Sequence, residues 1–266
     1  MNILCPIDFS DHSLYALDYA INLGNALGAK LHLFTAYSVP KSTGRLRSLD
    51  NEIKKAVLED LSDVLMSVEN KITTGIKAGH SVMEGNSGRV ISEFSKTHDI
   101  DLIVMGTQGK GSISNIFMGS VAKKVVDYAQ VPVIAIPFPL KEGLDNKKAI
   151  INLDEKEVKN DYSFRFLRNF IQKLDIRLEV FHVVADENQK DNVKETIEKL
   201  AQNVSDIVTV NSSDIANSIR KNAESSNGGL IIMIRRPHSF WSRLFMDTNT
   251  TTELAMTRIP IMILPE

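Results

Sequence analysis

Scarcities come first, because each one closes off a class of protein. There is one cysteine, Cys5, in 266 residues, so no disulfide forms within the chain and no zinc-ligand spacing exists. Cys5 lies in an apolar run, where a small core residue is expected, and a reducing compartment suits such a chain. No apolar run approaches the length of a membrane span. The N-terminus opens directly on Asn2-Ile3-Leu4-Cys5-Pro6-Ile7-Asp8, with neither a basic stretch nor a cleavage site, so a cytoplasmic protein without a membrane partner is expected. Neither sign of charge prevails: 31 Lys and Arg against 33 Asp and Glu give a net charge of −2, which leaves no electrostatic footprint for nucleic acid. The six histidines, His12, His32, His80, His98, His182 and His238, are scattered, and none stands at a catalytic spacing from a serine or cysteine.

What is present is an ordinary globular composition, 43% hydrophobic and 24% charged, enough for a sizeable core. At roughly 150 residues per domain the length allows one large or two ordinary domains. Residues 3–7 read as a strand, and a helix capped by Ser10 or Asp11 follows, its apolar face supplied by Leu17, Ala20, Ile21, Gly24 and Leu27 and its end set by Gly28. A strand over 30–36 comes next. After a polar loop, Ile53, Val57, Leu61, Val64, Leu65 and Val68 repeat at helical spacing. A third strand near 81–83 leads through Glu84-Gly85-Asn86 into a helix begun at Ser87, with Val90, Ile91 and Phe94 turned inward. A strand over 101–105, a glycine loop, a helix over 120–129 and a last strand over 131–137 complete the series. Strands alternating with helices predict a parallel sheet covered on both faces.

The glycine loop is where chemistry is concentrated. Gly106 and Gly109 let the main chain turn and approach a ligand without a Cβ in the way, and Gly119-Ser120 opens a helix whose first N–H groups form an anion site. No Gly-Lys-Ser/Thr follows a four-residue spacer, and Gly106-x-x-Gly109-x-Gly111 runs the dinucleotide spacing backwards, so neither familiar phosphate loop is present.

Residues 138–146, with prolines, a glycine and charges, read as a linker, after which the pattern restarts. Asp154 stands in the place of Asp8. Phe164, Leu167, Ile171 and Leu174 mark a helix, 176–184 a strand, Val193, Ile197, Leu200 and Val204 a second helix, 207–210 a third strand, Asp214 the start of a third helix, and 229–234 a fourth strand. Ile116-Phe117-Met118-Gly119-Ser120 aligns with Leu244-Phe245-Met246-Asp247-Thr248, and Val131 to Pro137 with Ile259 to Pro265. The chain reads as a tandem duplication, with domains at 1–140 and 147–266. In the second copy Gly106, Gly109, Gly111 and Gly119 become Ile234, Pro237, Ser239 and Asp247. Bulk, a missing N–H and a carboxylate at the helix start all oppose a phosphate, so this site is expected to be lost. Arg235, Arg236 and Arg243 read as a solvated face in preference to a different anion site, and Phe240 and Trp241 as a partner contact or edge packing.

These residues resemble the universal stress protein family in a tandem two-domain form. The resemblance rests on Pro6-Ile7-Asp8-Phe9-Ser10, Glu84-Gly85, Val104-Met105-Gly106, Val131-Pro132-Val133, and above all Gly106-x-x-Gly109 followed by nine residues and Gly119-Ser120, the glycine pattern of the ATP-binding branch. It implies an α/β fold of two doubly wound parallel-sheet domains, five strands each in the order 3-2-1-4-5, so that the crevice between strands one and four is the switch point where ligands bind. It further implies that Pro6, Ile7 and Asp8 line a nucleoside, with the Asp8 carboxylate accepting from ribose hydroxyls and Ala36 beside the adenine. Met105, Gly106, Gln108, Gly109, Gly119, Ser120, Val121 and Ala122 then surround the phosphates of ATP, with Mg2+ as an optional companion. The two fifth strands are expected to pair in an intrachain pseudo-dimer, and a homodimer is a further option.

On the residues alone, a helix cap is the lesser alternative for Asp8 and for Ser120, and Lys110 reads as a solvated lysine before a phosphate ligand. Three functions stay open: a nucleotide-dependent stress-response protein, a slow ATPase, for which the loop offers no evident base, and an interaction scaffold without nucleotide.

Overall fold

The computed structural model describes residues 1–39, 47–73, 75–109, 118–140, 146–153, 161–184, 192–200, 204–212, 214–235 and 258–266. They fall into two compact units, one drawn from residues 1–133 and one chiefly from Ile134–Glu266.

In the first half, β1 (Asn2–Pro6) is followed by α1 (Asp11–Leu27), β2 (Lys30–Tyr37), α2 (Arg47–Val68), β3 (Ala78–Glu84), α3 (Ser87–Thr97), β4 (Leu102–Gly106), α4 (Ser120–Tyr128) and β5 (Val133–Ile136). The strand order is β3-β2-β1-β4-β5. β1 lies between β2 and β4, parallel to both, with Pro6 level with Phe34 and Leu4 level with Ile103. Such a strand is covered on both faces, and this explains why Ile3, Leu4, Cys5, Leu102, Ile103 and Val104 are all fully buried. Cys5 is a core residue as expected, and burial pushes its thiol up to about 12, so it stays protonated and inert.

Local chemistry sets the helix ends. Ser10 caps α1, its Oγ accepting from the Ser13 N–H at 3.2 Å, and Gly28 ends it in the left-handed region at φ 62°, which costs a residue without a side chain little. The expected face of α1 is the buried one, with Leu17, Ala20, Ile21, Gly24 and Leu27 all inside. α2 lies more lightly on the sheet: Leu61 and Val68 are buried, whereas Ile53, Val57, Val64 and Leu65 are half-exposed.

The second half contains β6 (Lys148–Leu153), α5 (Asp161–Lys173), β7 (Arg177–Val184), α6 (Asn192–Leu200), β8 (Val204–Asn211), α7 (Ile215–Ser225), β9 (Leu230–Arg235) and β10 (Ile261–Pro265). Its order is β8-β7-β6-β9-β10, the same 3-2-1-4-5 winding. Asp214 caps α7 by accepting from the Asn217 N–H at 3.2 Å. One expectation fails: Val204 does not extend the second helix but begins β8, level with Leu178. The four-residue step from Leu200 mimics a helical period, yet the β-branched run from Val204 onward pairs better as an edge strand. Asp154, Arg236, Pro237, Ser239, Phe240, Trp241, Arg243 and Asp247 lie outside the described residues, as do Lys110 and Gly111.

Candidate functional site

The carboxyl ends of β1 and β4 converge within the first unit. Ile7 runs on from β1, its N–H donating to Phe34 O at 2.8 Å and its carbonyl accepting from Thr35 Oγ1 at 2.9 Å. The chain then leaves the sheet at Asp8. Phe9 takes φ 61°, an uncommon conformation for a large side chain, and this sharp turn brings Ser10 back over Asp8. Oδ1 of Asp8 accepts from the Ser10 N–H at 3.1 Å and from the Ser10 hydroxyl at 2.5 Å, while the Asp8 N–H donates to Ser13 Oγ at 3.3 Å. Ser10 is therefore the cap, and Asp8 braces it from below. One carboxylate oxygen is committed to the start of α1.

The other oxygen points across the crevice. A Cβ built on Gly109 would collide with Asp8 Oδ2 and lie 3.4 Å from its Cγ. This contact places the end of β1 directly against the glycine loop and gives Gly109 a reason of its own: only glycine leaves room for the carboxylate. A Cβ on Gly106 would meet main chain, 3.0 Å from His12 O and 3.1 Å from Gln108 O. At Gly106 the space a side chain would need is taken by protein.

α4 begins beside them. The Gly119 N–H donates to Thr107 O at 2.7 Å, which ties the start of the helix to the first residue after β4. That N–H is thereby engaged, so the groups aimed outward from the helix start are those of Ser120, Val121 and Ala122, which have no partner one turn back within the helix. Gly119 is an extended N-cap and supplies no side-chain cap. Ser120 and Val121 are exposed, and Ala122 is buried, so Ala122 can offer a ligand only main chain. The combination is a helix N-terminus with a glycine at its N-cap, at the mouth of the crevice, which favours an anion.

The other sequence-derived candidates are placed as follows. Pro6 and Met105 are buried at the ends of β1 and β4. Gln108 is half-buried beside Gly109. Ala36, half-buried, lies on β2 two residues beyond the Pro6–Phe34 register pair, level with Met83 of β3. Next to it the Tyr37 phenol is pushed up, by burial first and then by Glu84 and Asp50.

One pairing escaped the sequence. His32 Nε2 and Ser81 Oγ are 2.7 Å apart, because the β2–β3 register sets His32 level with Gly79 and Ser81 two residues on along the same face. Phe94 stacks on His98 with centroids 3.8 Å apart and stands 5.1 Å from the His32 ring. Burial, followed by His98 and His80, holds the His32 pKa below its ordinary range. No separation in the sequence signals such a pair, since strand register alone creates it.

A family model described as the universal stress protein family matches residues 1–137, just over half of the 266. The chain belongs to the universal stress protein family. Among relatives of this family member, a universal stress protein of Methanocaldococcus jannaschii is 32% identical over 142 residues, covering 53% of this chain and 84% of its own. One from Thermus aquaticus is 33% identical over 136 residues, covering 50% and 96%. A solved universal stress protein structure from Archaeoglobus fulgidus superposes over 100% of this chain and 96% of its own with a TM-score of 0.72 at 18% identity. That likeness shows the fold, in which this family member has two tandem doubly wound halves. No helix among the described residues is long and apolar enough to cross a membrane.

Proposed function

We propose that the first unit of this universal stress protein binds an adenine nucleotide, ATP foremost, and that occupancy shifts a conformational or partner equilibrium. The observation that carries the reading is the α4 N-terminus, whose own N-cap residue is a glycine with no side-chain cap and which the Gly119–Thr107 bond ties to the mouth of the crevice where Asp8 meets Gly109. The phosphates then lie on the N–H groups of Ser120, Val121 and Ala122, with the Ser120 hydroxyl as a further donor. The nucleoside extends toward Pro6, Ile7, Asp8 and Ala36. Among the described residues no group of three or more His, Cys, Asp or Glu side chains is arranged to hold a metal ion; a divalent ion accompanying the ligand is carried by the phosphates. Pairing through the fifth strands, expected from the resemblance, belongs to the same proposal and is tested by site-directed cross-linking.

The test is calorimetric titration with ATP on the wild type and on Val121→Asp. This substitution puts a carboxylate on an exposed first-turn position, where it suits the helix dipole but opposes a phosphate. Binding to the wild type with at least tenfold weaker binding to the variant supports the reading. No heat with the wild type and no thermal shift leaves an interaction scaffold.

A further inference from the structure

The outer edge of β8 is bare. The strand ends the order β8-β7-β6-β9-β10 and pairs with β7 alone among the described residues, so the N–H and C=O groups along its other side face outward. Ser205 is an extra residue, since Leu178 is level with Val204 and Glu179 with Asp206. Beyond this bulge the ladder runs without a break from Asp206 to Asn211, level with Glu179 to Val184. Along that stretch Ile207, Thr209 and Asn211 share one face and are all exposed, Ile207 at 54%, whereas Val208 and Val210 on the other face are half-buried. Edge strands are ordinarily blunted by lysine, proline or a covering element. β3, the corresponding edge of the first unit, has α2 packed on it and no exposed residue between its two ends. Asp206-Ile207-Val208-Thr209-Val210-Asn211 carries neither lysine nor proline, and Asp206 is its one charge.

We propose that β8 is a self-association surface: the Asp206–Asn211 edges of two copies of this chain pair antiparallel about a two-fold axis normal to the sheet. The side chains of the edge select a second copy as its occupant. Such an axis keeps each face of the strand on its own side, so one residue meets itself at the centre and its neighbours pair outward in step. Centred on Val208, the pairs are Val208 with Val208, Ile207 with Thr209 and Asp206 with Val210. β-branched side chains then meet β-branched side chains across the new ladder, the pairing that sheets favour. The two Asp206 carboxylates stand at opposite ends, about 14 Å apart along the strands, which exceeds the Debye length of about 8 Å at physiological salt. No like charges oppose each other. The exposed Ile207 of each copy leaves water in the process. A single added ladder is a small interface, so the association is reversible and depends on concentration.

The experiment is sedimentation equilibrium of the full chain without nucleotide, comparing the wild type with Ile207→Lys, Ile207→Glu and an equimolar mixture of the two variants. Both substitutions fall on an exposed side chain, and an unchanged urea midpoint shows that the fold is kept. The wild type is expected to show a monomer–dimer equilibrium. Each variant alone self-associates at least about tenfold more weakly, because like charges then stand diagonally across the pair, about 7–8 Å apart. The mixture regains the wild-type association, since opposite charges now meet there. Thr209→Lys and Thr209→Glu, on the same exposed face, repeat the test if an Ile207 variant fails to fold. A wild type that stays monomeric, a dimer insensitive to the lysine variants, or a mixture as weak as each variant alone overturns the proposal.

Discussion

Alanine at position 109 is the sharpest perturbation the structure offers. Its Cβ would run into Asp8 Oδ2, and the carboxylate cannot retreat without loosening the Ser10 N–H and hydroxyl bonds at 3.1 and 2.5 Å. The backbone at Gly109 lies outside the left-handed region, so alanine brings no conformational strain. It even gains about 0.4–1 kcal/mol by restricting the unfolded chain. Against that stands an overpacking cost of about 1–3 kcal/mol when an added carbon displaces a well-held neighbour. The net expectation is a loss of about 1–2 kcal/mol. Because the cost resides in one contact, it vanishes when the partner is removed: in an Asp8→Ala background, Gly109→Ala is neutral or mildly stabilising. The assay is a double-mutant cycle from urea denaturation followed by circular dichroism, with a coupling of about 1–3 kcal/mol, the overpacking cost itself. Equal destabilisation in both backgrounds, or none in either, refutes the reasoning that Gly109 is glycine on account of Asp8.

Other outcomes follow from single contacts. Ser10→Ala removes the α1 cap and costs about 1 kcal/mol, read as a lower midpoint in the same denaturation. Gly28→Val forces a β-branched residue into φ 62° and costs at least about 1 kcal/mol. Glu179 is buried, with Lys148 Nζ at 2.8 Å and Asn222 Nδ2 at 2.6 Å; Glu179→Ala strands both donors and costs about 2–3 kcal/mol given the partial exposure of Lys148, measured by thermal shift. His32, whose pKa burial lowers in the fold, contributes stability that is fully present above the ordinary histidine range and is lost as pH falls through its folded value. His32→Gln flattens the acid side of the stability profile between about pH 6.5 and the folded pKa, and an unchanged profile contradicts this.

The legible parts of this universal stress protein are those governed by near neighbours. Ser10 and Gly28 announce the ends of α1 and Asp214 the cap of α7, because capping needs only a residue type and the three positions beside it. Buried parallel strands betray themselves as short apolar runs such as Leu102 to Met105. What the sequence concealed was decided by register. Gly109 reads as room for a ligand, but the structure fills that room with a carboxylate from another strand end. Gly119 reads as a phosphate donor, but its N–H is spent on Thr107. His32 and Ser81 meet only because two strands run parallel in one particular alignment. Val204 looks helical by its spacing from Leu200 and is extended because β7 lies ready to pair with it. In each case the residue type was informative and the partner was not, since a partner across the sheet leaves no local trace.

The central claim is that one crevice per chain, between the ends of β1 and β4 and the start of α4, receives an adenine nucleotide. The most direct measurement is the stoichiometry of ATP binding to the purified full chain by isothermal titration calorimetry. The account predicts saturation at one nucleotide per chain. Saturation at two, or no binding at all, contradicts it.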